Sequence, residues 1–146
     1  MGTAADELGR VDLFADLSAR QRRKLAGSFR ERRFKAGMDV VREGSMGGIG
    51  FFVVTDGQAT VSVGGVEVSR LSAGDHFGEL AMISRRERMA TVEALTPMRC
   101  HTIQFWDFRA FAKKNPDVMW KLLQHVAGIL LKEQSRHAAH AESASP

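Results

Sequence analysis

Hydrophobic and polar residues follow three successive rhythms along this chain. The first is short and helical: Leu17, Leu25 and Phe29 supply apolar positions around Ser18 and Gln21, which stand at capping-box spacing. From Phe34 onward the pattern shortens to strand-like runs, Asp39–Arg42, Phe51–Thr55, Ala59–Val63, Val66–Leu71 and Ala90–Ala94. Gly37, Gly44, Gly57 and Gly74 punctuate these runs at turn positions. Gly64-Gly65, between Val61–Val63 and Val66–Val68, predicts a two-residue hairpin turn. After Phe105 the helical period returns. Trp106–Lys114 predicts one helix, Asn115-Pro116 interrupts it, and a longer helix follows from Asp117 to about His137. Met119, Leu122, Leu123, Val126 and Leu130 form its apolar stripe, and residues 141–146 read as a disordered tail. Many short strands with regular turns imply a sandwich or jelly roll. The expected fold is mainly β with flanking helices: a β jelly-roll barrel with a short N-terminal helical region and two C-terminal helices. No repeat or long linker divides residues 1–146, so one domain is expected.

Composition narrows the class. With 44% hydrophobic and 26% charged residues, 146 residues make an ordinary globule with a core of its own. No apolar run approaches the roughly 20 residues that span a bilayer, and Met1–Arg10 is too polar for a secretory signal. Cys100 is the only cysteine, which excludes an intrachain disulfide and a cysteine metal cluster. A cytoplasmic setting is expected. The net charge of +4 gathers between Arg20 and Lys35, where Arg20, Arg22, Arg23, Lys24, Arg30, Arg32, Arg33 and Lys35 face only Glu31. A nucleic-acid site and a solvated helix face with its loop are both open readings of this run. No helix-turn-helix pattern follows it, so direct DNA binding is not expected.

The stretch with chemical content is Phe77-Gly78-Glu79-Leu80-Ala81-Met82-Ile83, followed by Arg88-Met89-Ala90-Thr91-Val92. A short helix opening after Gly78 would aim unpaired backbone N–H groups outward, which suits an anion. Gly78 would let backbone approach a ligand closely. Arg88, entering the next strand, could add a bidentate grip on phosphate. Glu79 cannot bind an anion, but its carboxylate can accept a bond from a ribose hydroxyl. A simple Glu79–Arg88 ion pair is the competing account. Small Ala81 and Ala90 beside the two charged residues favour the ligand reading.

These residues resemble the phosphate-binding cassette of the cyclic-nucleotide-binding domains found in catabolite activator proteins, cyclic-nucleotide-dependent kinases and gated channels. That cassette reads Phe-Gly-Glu, small or apolar residues, a loop, then Arg-x-Ala-Thr. The likeness extends from about Leu13 to about Leu131. It includes Phe34-Lys35-Ala36-Gly37, Arg42-Glu43-Gly44, Phe51-Phe52-Val53-Val54 up to Gly57, and Leu71 with Gly74-Asp75. The resemblance implies a sensor and not an enzyme. Arg88 would pair with the cyclic phosphate, Glu79 would take the ribose 2′-hydroxyl, and backbone N–H groups of Leu80, Ala81 and Ala90 would complete the cradle. Phe77, Gly78 and Met89 belong to the same site, and no metal is implied. The implied ligand is cAMP before cGMP, because relatives that favour cGMP carry threonine where this chain has Met89. The helix Asp117–His137 is the implied lid over the base, signalling to an unidentified protein effector. Three features depart from the family pattern: glycine-rich Ser45–Gly50, expected to be mobile; Glu87, which could compete for Arg88; and basic Arg85 and Arg86, which would offset it.

Other residues promise less. His76 beside Asp75 lacks a nucleophile or second carboxylate and reads as a turn residue at the pocket edge. His137 and His140 make a poor metal pair on a helix end. Phe105, Trp106, Phe108 and Phe111 read as packing between helix and sheet, and Cys100 as an inert core residue. Two rival functions stay in view: an interaction module of the same fold that binds no ligand, and a fragment of a transcription regulator, whose winged helix would follow the long helix. A cupin-like enzyme would need strand histidines, and Asp39–Leu71 has none.

Overall fold

The computed structural model describes residues 3–45 and 50–144, with side chains through Ala138. The expected mobile loop therefore lies largely outside the described residues. The chain divides into two compact units, Met1–Phe111 and Ala112–Pro146.

The first unit opens with α1 (Ala4–Gly9), a short 3₁₀ turn (Asp12–Phe14) and α2 (Ala19–Ala26). Both helices start with reciprocal caps. Ser18 Oγ accepts the Gln21 N–H at 3.1 Å, while the Ser18 N–H donates to Gln21 Oε1 at 2.8 Å. Thr3 and Asp6 do the same for α1, a signal that the polar N-terminus hides. Arg99 then donates to both carboxylate oxygens of Glu7, at 3.1 and 3.4 Å, tying α1 to the sheet.

Eight strands follow: β1 (Arg30–Phe34), β2 (Asp39–Val41), β3 (Gly50–Asp56), β4 (Ala59–Val63), β5 (Val66–Leu71), β6 (His76–Phe77), β7 (Thr91–Ala94) and β8 (Met98–Gln104). They form two four-stranded sheets, β1-β8-β3-β6 and β2-β7-β4-β5, with every pairing antiparallel. The jelly-roll expectation holds as a pair of packed sheets; among the described residues the strands do not close into a barrel. The β4–β5 hairpin turns on Gly64 and Gly65, both at positive φ (59° and 82°), as a primed two-residue turn demands.

Alternation along β3 explains the layering. Phe52 and Val54 join Phe34, Phe77, Met98 and Cys100 from their own sheet, and Ala59, Val92 and Ala94 from the other, in the core between the sheets. Phe51 and Val53 point to the opposite face, where Phe51 meets the rings of Phe14 and Phe108 at 6.2 and 6.0 Å. Phe108 lies on α4 (Phe105–Lys114). All four of these β3 residues are buried.

The basic run is only partly a helix face. Arg30, Arg32 and Arg33 stand on β1, an edge strand paired to β8, and not in a loop. Four charged residues in a row conceal a strand from pattern reading, yet a sheet edge accepts them. In the second unit, α5 (Pro116–Ala144) continues past His137 through much of the stretch expected to be a tail. Ala138, Ala139, Ala141 and Ala144 favour that extension. Among the described residues no helix is long and apolar enough to cross a membrane.

Phe51→Ala removes the ring that packs on two helical segments. It is expected to cost about 3–5 kcal/mol, read as a lower midpoint in urea unfolding with an unchanged slope.

Candidate functional site

Between β6 and β7 the chain leaves the sheets to build a cavity. Gly78 caps α3 (Glu79–Ser84) in the left-handed conformation, φ 89° and ψ 0°. Phe77 is fixed before it by stacking on Phe52, ring centroids 4.8 Å apart and nearly parallel at 2°. Arg85 ends the helix in a second left-handed turn, its N–H bonded to Ala81 O at 2.8 Å. The returning chain is pinned to the β2–β3 loop: the Arg88 N–H donates to Ser45 O at 3.0 Å, and the Gly44 N–H to Arg88 O at 2.8 Å.

This path places Phe77, Gly78, Glu79, Leu80 and Ala81 on one wall of a cavity of about 160 Å³, and Arg88, Met89 and Ala90 on another. All eight residues singled out in the sequence thus surround one space. Arg88 is only 4% exposed. Its Nη2 donates to Gly50 O at 3.2 Å, and its guanidinium carbon lies 6.0 Å from the centre of the Phe52 ring. Burial lowers its pKa from the ordinary value, though a guanidinium stays protonated in proteins. Glu79 is 6% exposed, with Oε2 3.5 Å from His76 Nδ1. Glu87, expected as a competitor for Arg88, is exposed while Arg88 turns inward. Met89 stands at the rim, 67% exposed. The cavity therefore offers a buried cation, a buried carboxylate and close backbone, with an apolar thioether at its edge. A small anionic ligand with hydroxyl groups fits that set.

Comparison with known proteins gives the same direction. The family model described as the cyclic nucleotide-binding domain matches residues 31–115. The chain belongs to that family. A cAMP-dependent protein kinase regulatory subunit of Mycosarcoma maydis is 42% identical over 88 residues, which cover 58% of this chain and 17% of that protein. The chain thus spans about a sixth of that relative's length. A solved structure of the regulatory domain of Toxoplasma gondii PKA with cAMP is 28% identical, with a TM-score of 0.74, covering 86% of this chain and 48% of that one. The catabolite activator protein of Thermus thermophilus shares the fold at 22% identity and a TM-score of 0.81, over 88% of this chain and 62% of that one.

For a cyclic nucleotide-binding domain, some of the lining is less obvious in the sequence. Val61 and Val92 also face the cavity, and they are direct cross-strand partners on β4 and β7. Alternation alone signals that they are buried, not that they line a cavity. His76 is a strand residue and not a turn residue. It lines the cavity and packs its ring 5.3 Å from Phe51. Gly50 is missed because its contribution is a carbonyl. Cys100 lies in the core with its thiol pushed up to about 12 by burial, which keeps it unreactive.

Gly78 tolerates no side chain. A Cβ there would lie 2.8 Å from Gly50 O and 2.9 Å from Arg88 Nη1, on a backbone at φ 89°. Gly78→Ala is expected to destabilise the fold by about 1–3 kcal/mol, measured by thermal unfolding. Gly78→Asn, although asparagine accepts left-handed backbone, should give no rescue, because it carries the same Cβ.

Proposed function

We propose that this chain is a cyclic-nucleotide sensor that takes cAMP in preference to cGMP and acts by binding, without a catalytic step. The observation that carries this reading is the convergence of the eight cassette residues on one cavity with Arg88 buried in its wall. The named relative and the solved cAMP complex support the choice of ligand. In this reading Arg88 meets the cyclic phosphate from the cavity wall, where a guanidinium makes strong, charge-assisted hydrogen bonds to phosphate oxygens. Glu79 accepts the ribose 2′-hydroxyl from its place in the cavity wall. Backbone N–H groups of Leu80, Ala81 and Ala90 approach the phosphate oxygens. Occupancy is passed through the C-terminal helix to a protein effector in the cytoplasm.

Arg88→Ala should weaken cAMP binding by about 2–5 kcal/mol in calorimetric titration, with the fold intact by circular dichroism. Unchanged affinity would remove the phosphate role. Glu79→Gln should weaken cAMP more than 2′-deoxy-cAMP; equal losses would remove the hydroxyl role.

Met89 governs the base. A guanine 2-amino group facing a thioether loses a hydrogen-bond partner, at about 1–3 kcal/mol if it is desolvated, whereas adenine has no group there. Met89→Thr supplies a hydroxyl and should shift relative affinity toward cGMP. Parallel titrations of both nucleotides decide the point, and a wild-type protein that prefers cGMP would contradict the assignment.

A further inference from the structure

Arg85 is the only residue other than glycine with a positive φ among the described residues, at 59°. Glycine adopts that backbone freely, while a residue with a Cβ is disfavoured there. An arginine at this turn therefore calls for an explanation beyond the turn itself. Its side chain supplies one. The guanidinium carbon lies 5.3 Å from the Phe105 ring centre and 5.0 Å from that of Trp106, both within cation–π range. The two rings meet nearly edge to face, 5.0 Å apart at 72°. Phe105 opens α4 and directly follows the last residue of β8.

Three residues further along the same loop, Arg88 grips the neighbouring strand through Gly50 O at 3.2 Å. Gly50 opens β3, and its cross-strand partner is Gln104, the residue just before Phe105. The two arginines thus hold adjacent points at one end of one sheet, Arg88 at the start of β3 and Arg85 just past the end of β8. An anion drawing on the Arg88 guanidinium would act at the first hold, and the second lies beside it at the entry to α4. Trp106 is 56% exposed and Arg85 is exposed as well. Their contact is accordingly of the weak, surface kind that can rearrange without unfolding anything.

We propose that Arg85 is a positioning residue that couples occupancy of the cavity to the first turn of α4 through its stack on Phe105 and Trp106. The proposal rests on the cyclic-nucleotide reading of the cavity. In a Trp120→Phe parent, Trp106 is the one tryptophan left of the two in the chain. Saturating the full chain with cAMP should change its emission. Arg85→Gly keeps the left-handed turn and removes the guanidinium. It should still bind cAMP by calorimetry, within about tenfold of the parent, the scale of an exposed cation–π contact, but without the emission change. Arg85→Lys retains charge without the planar stack and should show a reduced change. A full emission change in cAMP-bound Arg85→Gly overturns the coupling alone. A folded parent that gives no heat with cAMP overturns the reading of the cavity, and the coupling with it.

Discussion

A guanidinium withdrawn from water is the constraint around which this molecule is arranged. Arg88 keeps its charge at 4% exposure, where an unaccompanied ion would be expensive. Part of the compensation is visible: the carbonyl of Gly50 and the face of Phe52 both approach it. Room for that arrangement comes from Gly78, whose missing Cβ would sit against both Gly50 O and Arg88 Nη1. The turn that caps α3, the start of β3 and the entry to β7 thus meet around one side chain.

Strand β3 links this site to the rest of the first unit. Its first residue presents the carbonyl to Arg88, the next packs on the helical side through Phe14 and Phe108, and the third stacks on Phe77 beneath the cavity. Burial on both faces leaves the strand little freedom to slide, because a shift of one residue would exchange the two sets of side chains. The cavity therefore rests on a strand buried along most of its length.

Legibility from sequence followed the strength of local signals. The hairpin at Gly64-Gly65, the strands Ala59–Val63 and Val66–Leu71, and the Ser18/Gln21 cap are marked by residues whose chemistry is local, and the structure has them. β1 and β8 were hidden because Arg30–Arg33 and Arg99–Gln104 mix charge and polarity in a way that only pairing explains. The grouping of Phe77–Ala81 with Arg88–Ala90 was legible through the cassette motif. Gly50, Val61 and Val92 were not, since a carbonyl and two strand valines gain their places only from register. The left-handed turn at Arg85 left no trace either, because pattern reading expects glycine there.

The arginines of β1 have a bearing on how copies of this protein meet. An open sheet edge is a template on which an identical chain can add its own strand. Were two copies to join antiparallel along β1, Arg30, Arg32 and Arg33 would be brought near their counterparts across the new seam. Like charges at that spacing repel, and Glu31, engaged with Arg33 and Arg99, offers little neutralisation. The same charges that obscure the strand in the sequence oppose such pairing, most strongly when the salt concentration is low.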